Sequence, residues 1–311
     1  MNSDAPRDAA VGIGVSASKP KAAEASSITN WVEFMVGDTD ALPLRVFEVL
    51  FTLTFLLWMG RCFLTWREWL TEEGFHLNAS ELTALGYPLP FGLLSGSGVV
   101  CLATSIGAAG LAHLFNRWRR CALLALFVSS VYVQGADLMA AFTLNKLYVG
   151  VYGILLVTPG YTKDGATERL RVSALAIRVI QATLILQYLA AGLAKAFLGD
   201  WLKFSDVLYT QVQGVYRTDA AAWLLRVLPV WCWTVMQWTS LLFELEAPVL
   251  FSVRKLRPVA FVLGMGFHFV IALTMKDLVF FSAQMWSFYA LFLTAEEWRA
   301  IGAPLSSWKQ A

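Results

Sequence analysis

The sequence predicts an all-α protein, a polytopic bundle of about eight transmembrane helices. Hydrophobic residues make up 58% of the 311 residues and charged residues only 15%, whereas soluble domains carry about 25% charged residues. The mean hydropathy is +0.59. Apolar stretches of about 20 residues, the length that crosses the hydrocarbon core of a bilayer, recur from residue 44 almost to the C-terminus. A lipid bilayer is therefore the first expected partner of this chain.

Each apolar stretch is assigned to one span by its length and by the polar residues that bound it. The fourth and eighth stretches are short, so we expect six to eight spans. The predicted spans are 44–66, 91–115, 120–141, 144–158, 174–198, 222–251, 258–275 and 279–294. The sequence shows no internal repeat of the kind that marks inverted-repeat transporters.

Three segments follow from these spans. Residues 1–40 are predicted to form a disordered cytoplasmic tail, because residues 1–30 are rich in Ala, Ser, Pro and Lys and lack the continuous apolar region of a signal peptide. Residues 41–296 form the transmembrane domain, and residues 297–311 form a short cytoplasmic tail.

The positions of Lys and Arg predict the orientation, since these residues concentrate in cytoplasmic loops. With the N-terminus inside, the cytoplasmic segments hold 14 Lys and Arg residues and the opposite loops hold five. Both termini are therefore predicted to be cytoplasmic, and the two longest loops, 67–90 and 199–221, are predicted to lie outside. The expected location is a bacterial inner membrane.

Charge and cysteine content exclude two classes of partner. The net charge of +2 is spread along the chain without a basic patch, so nucleic acid is not expected to bind. The four cysteines form no CxxC motif and no Cys/His spacing typical of zinc sites. We therefore expect no metal centre.

Lys195 is the first candidate for function. A lysine near the centre of a membrane helix costs about 2.5–3.5 kcal/mol, so it needs a partner or a chemical role. Arg178, Gln181, Tyr188 and Gly192 share its helix face. A polar stripe on an otherwise apolar helix is expected to face the bundle interior or a cavity.

Two interpretations of Lys195 remain open on periodicity alone. Its long side chain can reach the outer interface, where Asp200 and Trp201 follow in the sequence. Alternatively, it lies in a dry outer pocket, where the neutral amine can act as a base. In the second case, removal of an unmatched charge by Lys195→Ala is expected to leave folding largely intact.

Two acidic residues are candidate partners of Lys195. Trp233, Gln237 and Ser240 share a helix face with Glu244, which makes Glu244 the leading acidic group of the sixth span. Glu244, however, is predicted to lie toward the inner end of its span, and Lys195 lies near the outer end of its own. Asp137, in the outer half of the third span, matches the depth of Lys195 better and is the preferred neighbour.

Two further polar residues lie inside spans. His268 is the only histidine well within a span, and it is either a hydrogen-bonded packing residue or a proton carrier that contacts a ligand. Glu48 follows Arg45 by one helical turn, and this spacing is typical of a structural charge pair.

Four stretches together resemble a known family. They are RVFEVLFTLTFLLWMGRC followed by WLTEEGFH, then QGADLMAAFTLNKLYVGVYGILLVTPG, RVIQATLILQYLAAGLAKAFLGDWLKFSDVL and FHFVIALTMKDLVFFSAQMWSFYALFL. Their order resembles the HTTM (horizontally transferred transmembrane) domain, the membrane module shared with vitamin K-dependent gamma-carboxylases and the sporulation-delaying toxin maturation protein. The third stretch is the most specific, because Tyr188, Gly192, Lys195 and Trp201 occupy the family's motif positions. The resemblance covers residues 42–296.

The resemblance implies a role for the lysine and a ligand class. In the carboxylases a lysine of this motif deprotonates reduced vitamin K, and by resemblance that role falls on Lys195. A quinone-like, vitamin K-type cofactor is implied in the same way. Carboxylases continue into a large extramembranous domain, whereas this chain ends shortly after its last span, so we do not expect peptide gamma-carboxylation by this chain alone.

Three function classes remain open. The leading one is a membrane enzyme or maturation factor that acts on a quinone-like or lipid-soluble molecule or on a secreted peptide. The second is a non-catalytic partner or export accessory of a protein encoded nearby, and transport is the third. For the first class, Lys195 and His268 are the candidate catalytic residues, and the candidate substrate-binding residues are Tyr188, Asp137, Glu244 and Trp201.

Overall fold

The computed structural model of the chain describes residues 30–76, 83–84, 91–136, 143–165 and 169–307, with side chains up to residue 302. The predicted all-α class is confirmed, since helices account for nearly all of the regular structure in these residues. The helices in chain order are α1 Leu42–Phe63, α2 Trp66–Leu70, α3 Gly96–Leu114, α4 Arg119–Ala136, α5 Thr143–Val157, α6 Ala174–Leu193, α7 Val207–Val212, α8 Asp219–Val227, α9 Val230–Ser252, α10 Arg257–Thr274, α11 Leu278–Tyr289 and α12 Ala295–Ser307. A π-helical turn, Ala194–Leu198, continues α6, and 3₁₀ turns follow α9 and α11 at Arg254–Leu256 and Ala290–Phe292.

Four helical segments are long and apolar enough to cross a membrane, namely Leu42–Phe63, Gly96–Leu114, Ala174–Leu198 and Arg254–Thr274. A fifth is added if Leu278–Phe292 and Ala295–Gly302, bent by 111°, count as one span. Four to five such segments among the described residues are fewer than the predicted eight. The difference arises because α5 has only 15 residues, while polar side chains lower the apolar character of α4 and α9.

A small antiparallel sheet ties the chain together at one end of the bundle. It consists of β1 Asp38–Asp40, β2 Thr162–Lys163 and β3 Leu170–Ser173, in the order β1-β3-β2. Because β1 directly precedes α1 and the other two strands connect α5 to α6, these helix termini lie at one end, which we call the sheet end. Residues 30–36 are helical. The predicted disordered tail of residues 1–40 therefore extends too far, because residues 30–40 have regular structure.

The C-terminal segment also packs against the sheet end. The indole Nε1 of Trp298 in α12 donates a 2.9 Å hydrogen bond to the carbonyl oxygen of Ala290. Arg299 forms an ion pair with Asp40 of β1. The first part of the predicted tail 297–311 is thus a docked helix.

Aromatic packing around α1 forms the centre of the bundle. Phe51 and Phe55 of α1 pack against Tyr148 and Tyr152 of α5, with ring centroids 4.7–5.6 Å apart. These four rings are at most 1% exposed. The two tyrosine hydroxyl groups are hydrogen-bonded: Tyr148 donates to Thr54 Oγ1 and Tyr152 donates to Thr52 Oγ1. This core fixes α1 beside α5.

The opposite end, which we call the cavity end, is closed by the connection between α6 and α9. Residue 217 of this connection pairs with Met275, just after α10, in an isolated antiparallel bridge. The backbone N–H of Lys276 donates a 2.6 Å hydrogen bond to the carbonyl oxygen of Tyr216. The connection and the α10–α11 turn therefore lie together over the same side of the bundle.

Candidate functional site

Lys195 lies in the π-helical turn that ends α6. The backbone N–H of Gly199 donates to the carbonyl oxygen of Ala194 at 3.0 Å. This bond spans five residues, as in a π-helix, so the turn is wider than an α-helical turn. The ammonium group of Lys195 donates to both carboxylate oxygens of Glu244, at 2.7 Å each. The side chain of Glu244 is 4% exposed and that of Lys195 is 23% exposed. The helix end thus holds a largely buried ion pair.

Gly192 allows α6 and α9 to approach closely enough for this pair. A Cβ atom at Gly192 would lie 3.1 Å from the Cβ atom of Glu244 and 3.1 Å from the backbone nitrogen of Leu245. Since the nitrogen belongs to a helix backbone, it cannot move away without displacing α9. The glycine of the predicted motif therefore has a packing role one turn before the lysine.

The structure gives Lys195 the acidic partner Glu244, whereas the preferred neighbour, Asp137, stays a prediction. Asp137 lies outside the described residues, and Glu244 provides both acceptor oxygens. The depth comparison was wrong because α9 extends past the end of α6: the amide of Gln237 donates to the carbonyl oxygens of Trp201 and Phe204, at 3.1 and 2.7 Å. Glu244, about two turns further along α9, is therefore level with Lys195.

Two aromatic rings complete the surroundings of the ammonium group. Lys195 Nζ lies 4.5 Å from the ring centroid of Trp201 and 5.4 Å from that of Phe267. Both distances are within the range of cation–π attraction. Lys195 is thus held by a carboxylate and two aromatic faces, so snorkelling alone does not describe it.

Tyr188 and His268 meet directly, two turns deeper than Lys195. The hydroxyl oxygen of Tyr188 lies 2.8 Å from His268 Nε2 and 2.8 Å from the hydroxyl oxygen of Tyr289. Tyr188 and Tyr289 are 2% and 6% exposed, and His268 is fully buried. The three groups form a continuous hydrogen-bonded chain, and His268 Nδ1 has no partner among the described residues.

Tyr289 was not predicted from the sequence. A Cβ atom at Gly264 would lie only 1.9 Å from the hydroxyl oxygen of Tyr289, so this glycine makes the space into which the hydroxyl projects. In the sequence Tyr289 resembles any aromatic packing residue of an apolar helix. The only signal was the pair of glycines in GMGFHF, which indicates a close approach without naming the partner.

Four of the residues described above line a cavity of about 570 Å³. Tyr188, Lys195, Glu244 and His268 all contribute to its wall. The remaining lining is largely aromatic and aliphatic, and it includes Trp58, Trp69, Leu144, Ala191, Phe267, Ile271, Leu278, Phe281 and Met285. The structure therefore brings together four of the six predicted site residues around the cavity and places Trp201 against Lys195.

The cavity mouth carries a second set of charges. Tyr216, Lys276 and Asp277 line it, and Asp277 accepts from Arg61 Nε at 3.2 Å. Asp277 has φ of 64° at the start of α11, a left-handed conformation that Asp tolerates better than most residues. Nothing in the sequence pattern joins Arg61 to Asp277, which lie 216 positions apart.

A second buried carboxylate lies at the sheet end, away from the cavity. Glu48 is fully buried and accepts from Arg45 Nη1 at 3.2 Å, as predicted, but also from Arg119 Nη2 and from the Tyr161 hydroxyl, each at 2.6 Å. His113 Nε2 lies 3.9 Å from Glu48. Burial raises the pKa of Tyr161, and the negative charge of Glu48 raises it further. The predicted charge pair is therefore part of a larger network, which we call the Glu48 cluster.

The comparisons with known proteins leave the family open. No family model matches the chain, and neither a curated protein nor a solved structure matches it. The resemblance to HTTM domains stays a prediction that rests on the quoted motifs. No group of three His, Cys, Asp or Glu side chains that could hold a metal ion occurs in the described part of the chain.

Proposed function

We propose that this chain is an integral membrane protein of the HTTM type that acts as an enzyme or maturation factor on a quinone-like or lipid-soluble molecule, or on a secreted peptide through that molecule. The observation that carries the proposal is the Lys195–Glu244 pair beside Tyr188 and His268 in the wall of one largely apolar cavity. Buried ionisable groups in a membrane bundle are costly, and they commonly mark functional sites.

The cavity suits a ligand with a flat ring and a few polar atoms. Its volume of about 570 Å³ is within the range of about 300–1,000 Å³ that is typical of small-molecule sites. Trp58, Trp69, Phe267 and Phe281 supply aromatic walls. The polar groups of Lys195 and His268 supply a small number of hydrogen-bonding partners, which is the usual division between affinity and orientation.

The ion pair restricts how Lys195 can act as a base. In an ion pair with Glu244, the ammonium form of Lys195 has no lone pair, so it cannot accept another proton. Transfer of one proton along a 2.7 Å hydrogen bond to Glu244 converts the pair into a neutral amine and a carboxylic acid. The amine can then accept a proton from a ligand hydroxyl group, which leaves the ligand anionic beside an ammonium group. Glu244 is thus proposed to hold the proton that Lys195 must lose.

The proposed membrane arrangement goes beyond the four or five apolar spans. We propose that the eight helices α1, α3, α4, α5, α6, α9, α10 and α11 all cross the bilayer, with both termini in the cytoplasm. The sheet supports a common side for the N-terminal segment and the α5–α6 connection, both of which the charge rule assigns to the cytoplasm. The outward end would then be the cavity end.

Labelling tests this orientation. In a variant without the four native cysteines, Asp206→Cys at the cavity end is expected to react with an impermeant thiol reagent in intact cells. Lys163→Cys in β2 is the matched control, and it is expected to react only after permeabilisation. Reversed labelling would place the cavity on the cytoplasmic side.

Mass spectrometry of extracts tests the ligand class. Protein purified in mild detergent is expected to retain a quinone or isoprenoid compound near stoichiometric amounts, and Glu246→Gln, an exposed neighbour of Glu244 on α9, is expected to retain the same amount. Retention of a peptide with no lipophilic compound would instead favour the export accessory class.

A further inference from the structure

Arg178 begins the polar stripe of α6 and lies at the sheet end, one turn from the start of the helix. Its Nη1 donates a 3.0 Å hydrogen bond to Gln181 Oε1. The amide of Gln181 in turn donates to the carbonyl oxygen of Leu291 at 2.6 Å. Arg178 is therefore held beside the 3₁₀ turn Ala290–Phe292.

Arg257 reaches the same turn from the start of α10. Its Nε donates to the carbonyl oxygen of Phe251 at 3.1 Å, and its Nη1 donates to that of Phe292 at 3.2 Å. The positive charges of Arg178 and Arg257 are close enough to act on each other. Two guanidinium groups thus lie near each other where α6 and α10 begin. We call them the arginine pair.

The arginine pair carries an unbalanced positive charge. Within the described part of the chain, neither guanidinium group forms an ion pair, and the Nη2 group of each has no hydrogen-bonding partner. Arg254 adds a third positive charge that acts on Arg257, against one carboxylate, that of Glu297. The side chain of Glu297 is 44% exposed, and it already accepts from the backbone N–H of Thr294 at 2.6 Å. An anionic group with free oxygen atoms would therefore reduce the repulsion here.

Apolar and aromatic side chains surround the arginine pair, as at a bilayer interface. The ring centroid of Phe34 lies 4.1 Å from Arg178 Cζ, within the range of cation–π attraction. Phe34 and Trp31 are exposed, and so are Leu175 and Val179 beside Arg178 on α6. Exposed tryptophan near the end of a membrane helix is typical of the headgroup level. An acyl chain can lie against these side chains while its headgroup phosphate reaches the arginines.

We propose that Arg178 and Arg257 bind the phosphate group of an anionic phospholipid from the leaflet at the sheet end. The Nη2 groups donate to the phosphate oxygens, and the acyl chains lie against the exposed apolar residues of α6. Arginine suits this role because it keeps its charge and its planar group can donate to two oxygens of one phosphate. Basic pockets between transmembrane helices bind anionic headgroups in the same way. The site is separate from the cavity, so it does not depend on the reaction proposed there.

Three variants separate a specific site from general attraction of acidic lipid to a basic surface. Arg178→Gln and Arg257→Gln each remove one charge and its donors from the pair. Arg120→Gln is the matched control, because Arg120 lies at the same end, near the start of α4, and is exposed. A loss of lipid affinity in all three variants would reflect the overall charge of this end, whereas a loss confined to the first two identifies the site.

The experiment is native mass spectrometry of the purified full-length protein in mild detergent. The probes are phosphatidylglycerol and phosphatidylcholine with identical acyl chains. Wild-type protein and Arg120→Gln are expected to bind the first phosphatidylglycerol at least about fivefold more tightly than phosphatidylcholine. Arg178→Gln and Arg257→Gln are each expected to lose about fivefold in affinity for phosphatidylglycerol alone, the scale of one arginine at a lipid headgroup. Inorganic phosphate is expected to displace no more phosphatidylglycerol than sodium chloride of equal ionic strength.

Four outcomes would overturn the proposal. They are equal affinity of the wild-type protein for the two lipids, an unchanged preference in the folded arginine-pair variants, an equal loss in Arg120→Gln, and displacement by inorganic phosphate, which would indicate a site for soluble anions. If neither arginine-pair variant folds, modification of the wild-type protein by phenylglyoxal takes their place. Phosphatidylglycerol is expected to protect Arg178 and Arg257 but not Arg120, and absence of this protection would equally overturn the proposal.

Discussion

The two buried glutamates show how similar residues can take different roles. Glu48 at the sheet end has three hydrogen-bonding partners, two of them arginines, and its side chain is fully buried. Among the described residues, Glu244 at the cavity end has one cationic partner, Lys195, and it lines a cavity of about 570 Å³. A carboxylate surrounded by fixed cations is a structural element, because its charge cannot change without loss of several contacts. A carboxylate with one titratable partner and access to a cavity can exchange a proton.

The largest effect on stability is expected from Glu48→Gln. This substitution leaves Arg119, whose side chain is 9% exposed, without its counter-charge, and loss of one partner from a buried pair costs about 3–5 kcal/mol. The melting temperature of the purified protein should therefore fall strongly. The exposed Glu246→Gln is the control, with a change within about 0.5 kcal/mol. A Glu48→Gln protein as stable as the control would remove the structural role of the Glu48 cluster.

A double-mutant cycle on Lys195 and Glu244 tests the other side of the comparison. Lys195→Met leaves an unpaired carboxylate that is 4% exposed, so we expect a loss of about 1–3 kcal/mol. This value replaces the sequence-based expectation that Lys195→Ala leaves folding largely intact, because the ammonium group has a carboxylate partner. The double variant Lys195→Met with Glu244→Gln should regain most of the stability and still fail to act on a ligand. If the free energy of unfolding of the double variant falls by the sum of the losses measured for Lys195→Met and Glu244→Gln alone, the two residues are not coupled.

The sequence predicted the helical class and the polar stripes well, because both depend on local periodicity. Tyr188, Gly192 and Lys195 share one face of α6, and that face does meet α9. The sequence could not predict the axial offset between helices, that is, how far one helix extends past its neighbour. The choice between Asp137 and Glu244 depended on how far α9 extends past α6, which is set by the packing of Gln237 against residues 201–204.

Contacts between segments that lie far apart in the sequence could not be predicted either. Tyr289 and Gly264 become a pair only when α10 packs on α11, and the strand Asp38–Asp40 exists only because β3 offers its edge. Each contact depends on a partner far along the chain. From local propensity alone, Tyr289 is an aromatic packing residue and Asp38–Asp40 is part of a disordered tail. The number of long apolar segments, four to five, falls below the predicted eight for a related reason, since helices such as α9 devote one face to buried polar groups.

The hydrogen-bonded chain at the base of the cavity should respond to Tyr289→Phe. Loss of this hydroxyl removes one of the two bonds at Tyr188 and costs about 1 kcal/mol. Because the chain has only three histidines, nitrogen NMR of ¹⁵N-histidine-labelled protein can follow His268, and its Nε2 signal should shift. Gly264→Ala, which displaces the Tyr289 hydroxyl, should produce the same shift. Tyr132→Phe is the control and should leave the His268 signal unchanged, because the Tyr132 hydroxyl donates to the carbonyl oxygen of Gly92 instead. An unshifted His268 signal in Tyr289→Phe would show that Tyr289 is not part of the hydrogen-bonded chain.

The smallest expected effect is a pH dependence at the sheet end. Burial alone would raise the pKa of Asp40, but the N–H group of Leu42 and the guanidinium group of Arg299 together lower it. A lowered folded-state pKa gives stability that is present above the unfolded-state pKa and is lost as pH falls through the folded-state pKa. Asp40→Asn should therefore be less stable than wild type at neutral pH, by less than about 1 kcal/mol. The difference should begin to shrink as pH falls below about 4, the unfolded-state pKa, and should vanish below the lowered folded-state pKa of Asp40. A difference that persists in stronger acid would exclude this pair as its source.

The central claim is that Lys195 exchanges a proton with a cavity ligand, and Lys195→Arg tests it most directly. Arginine keeps the positive charge and the ion pair with Glu244, but it does not give up its proton. The measurement is oxygen uptake with reduced 2-methyl-1,4-naphthoquinone, compared between wild type, Lys195→Arg and the Glu246→Gln control at equal amounts of folded protein. We predict uptake above the detergent blank for wild type and Glu246→Gln, and uptake at the blank level for a Lys195→Arg protein of unchanged melting temperature. Full uptake by Lys195→Arg would contradict the account and leave Lys195 as a charge partner of Glu244.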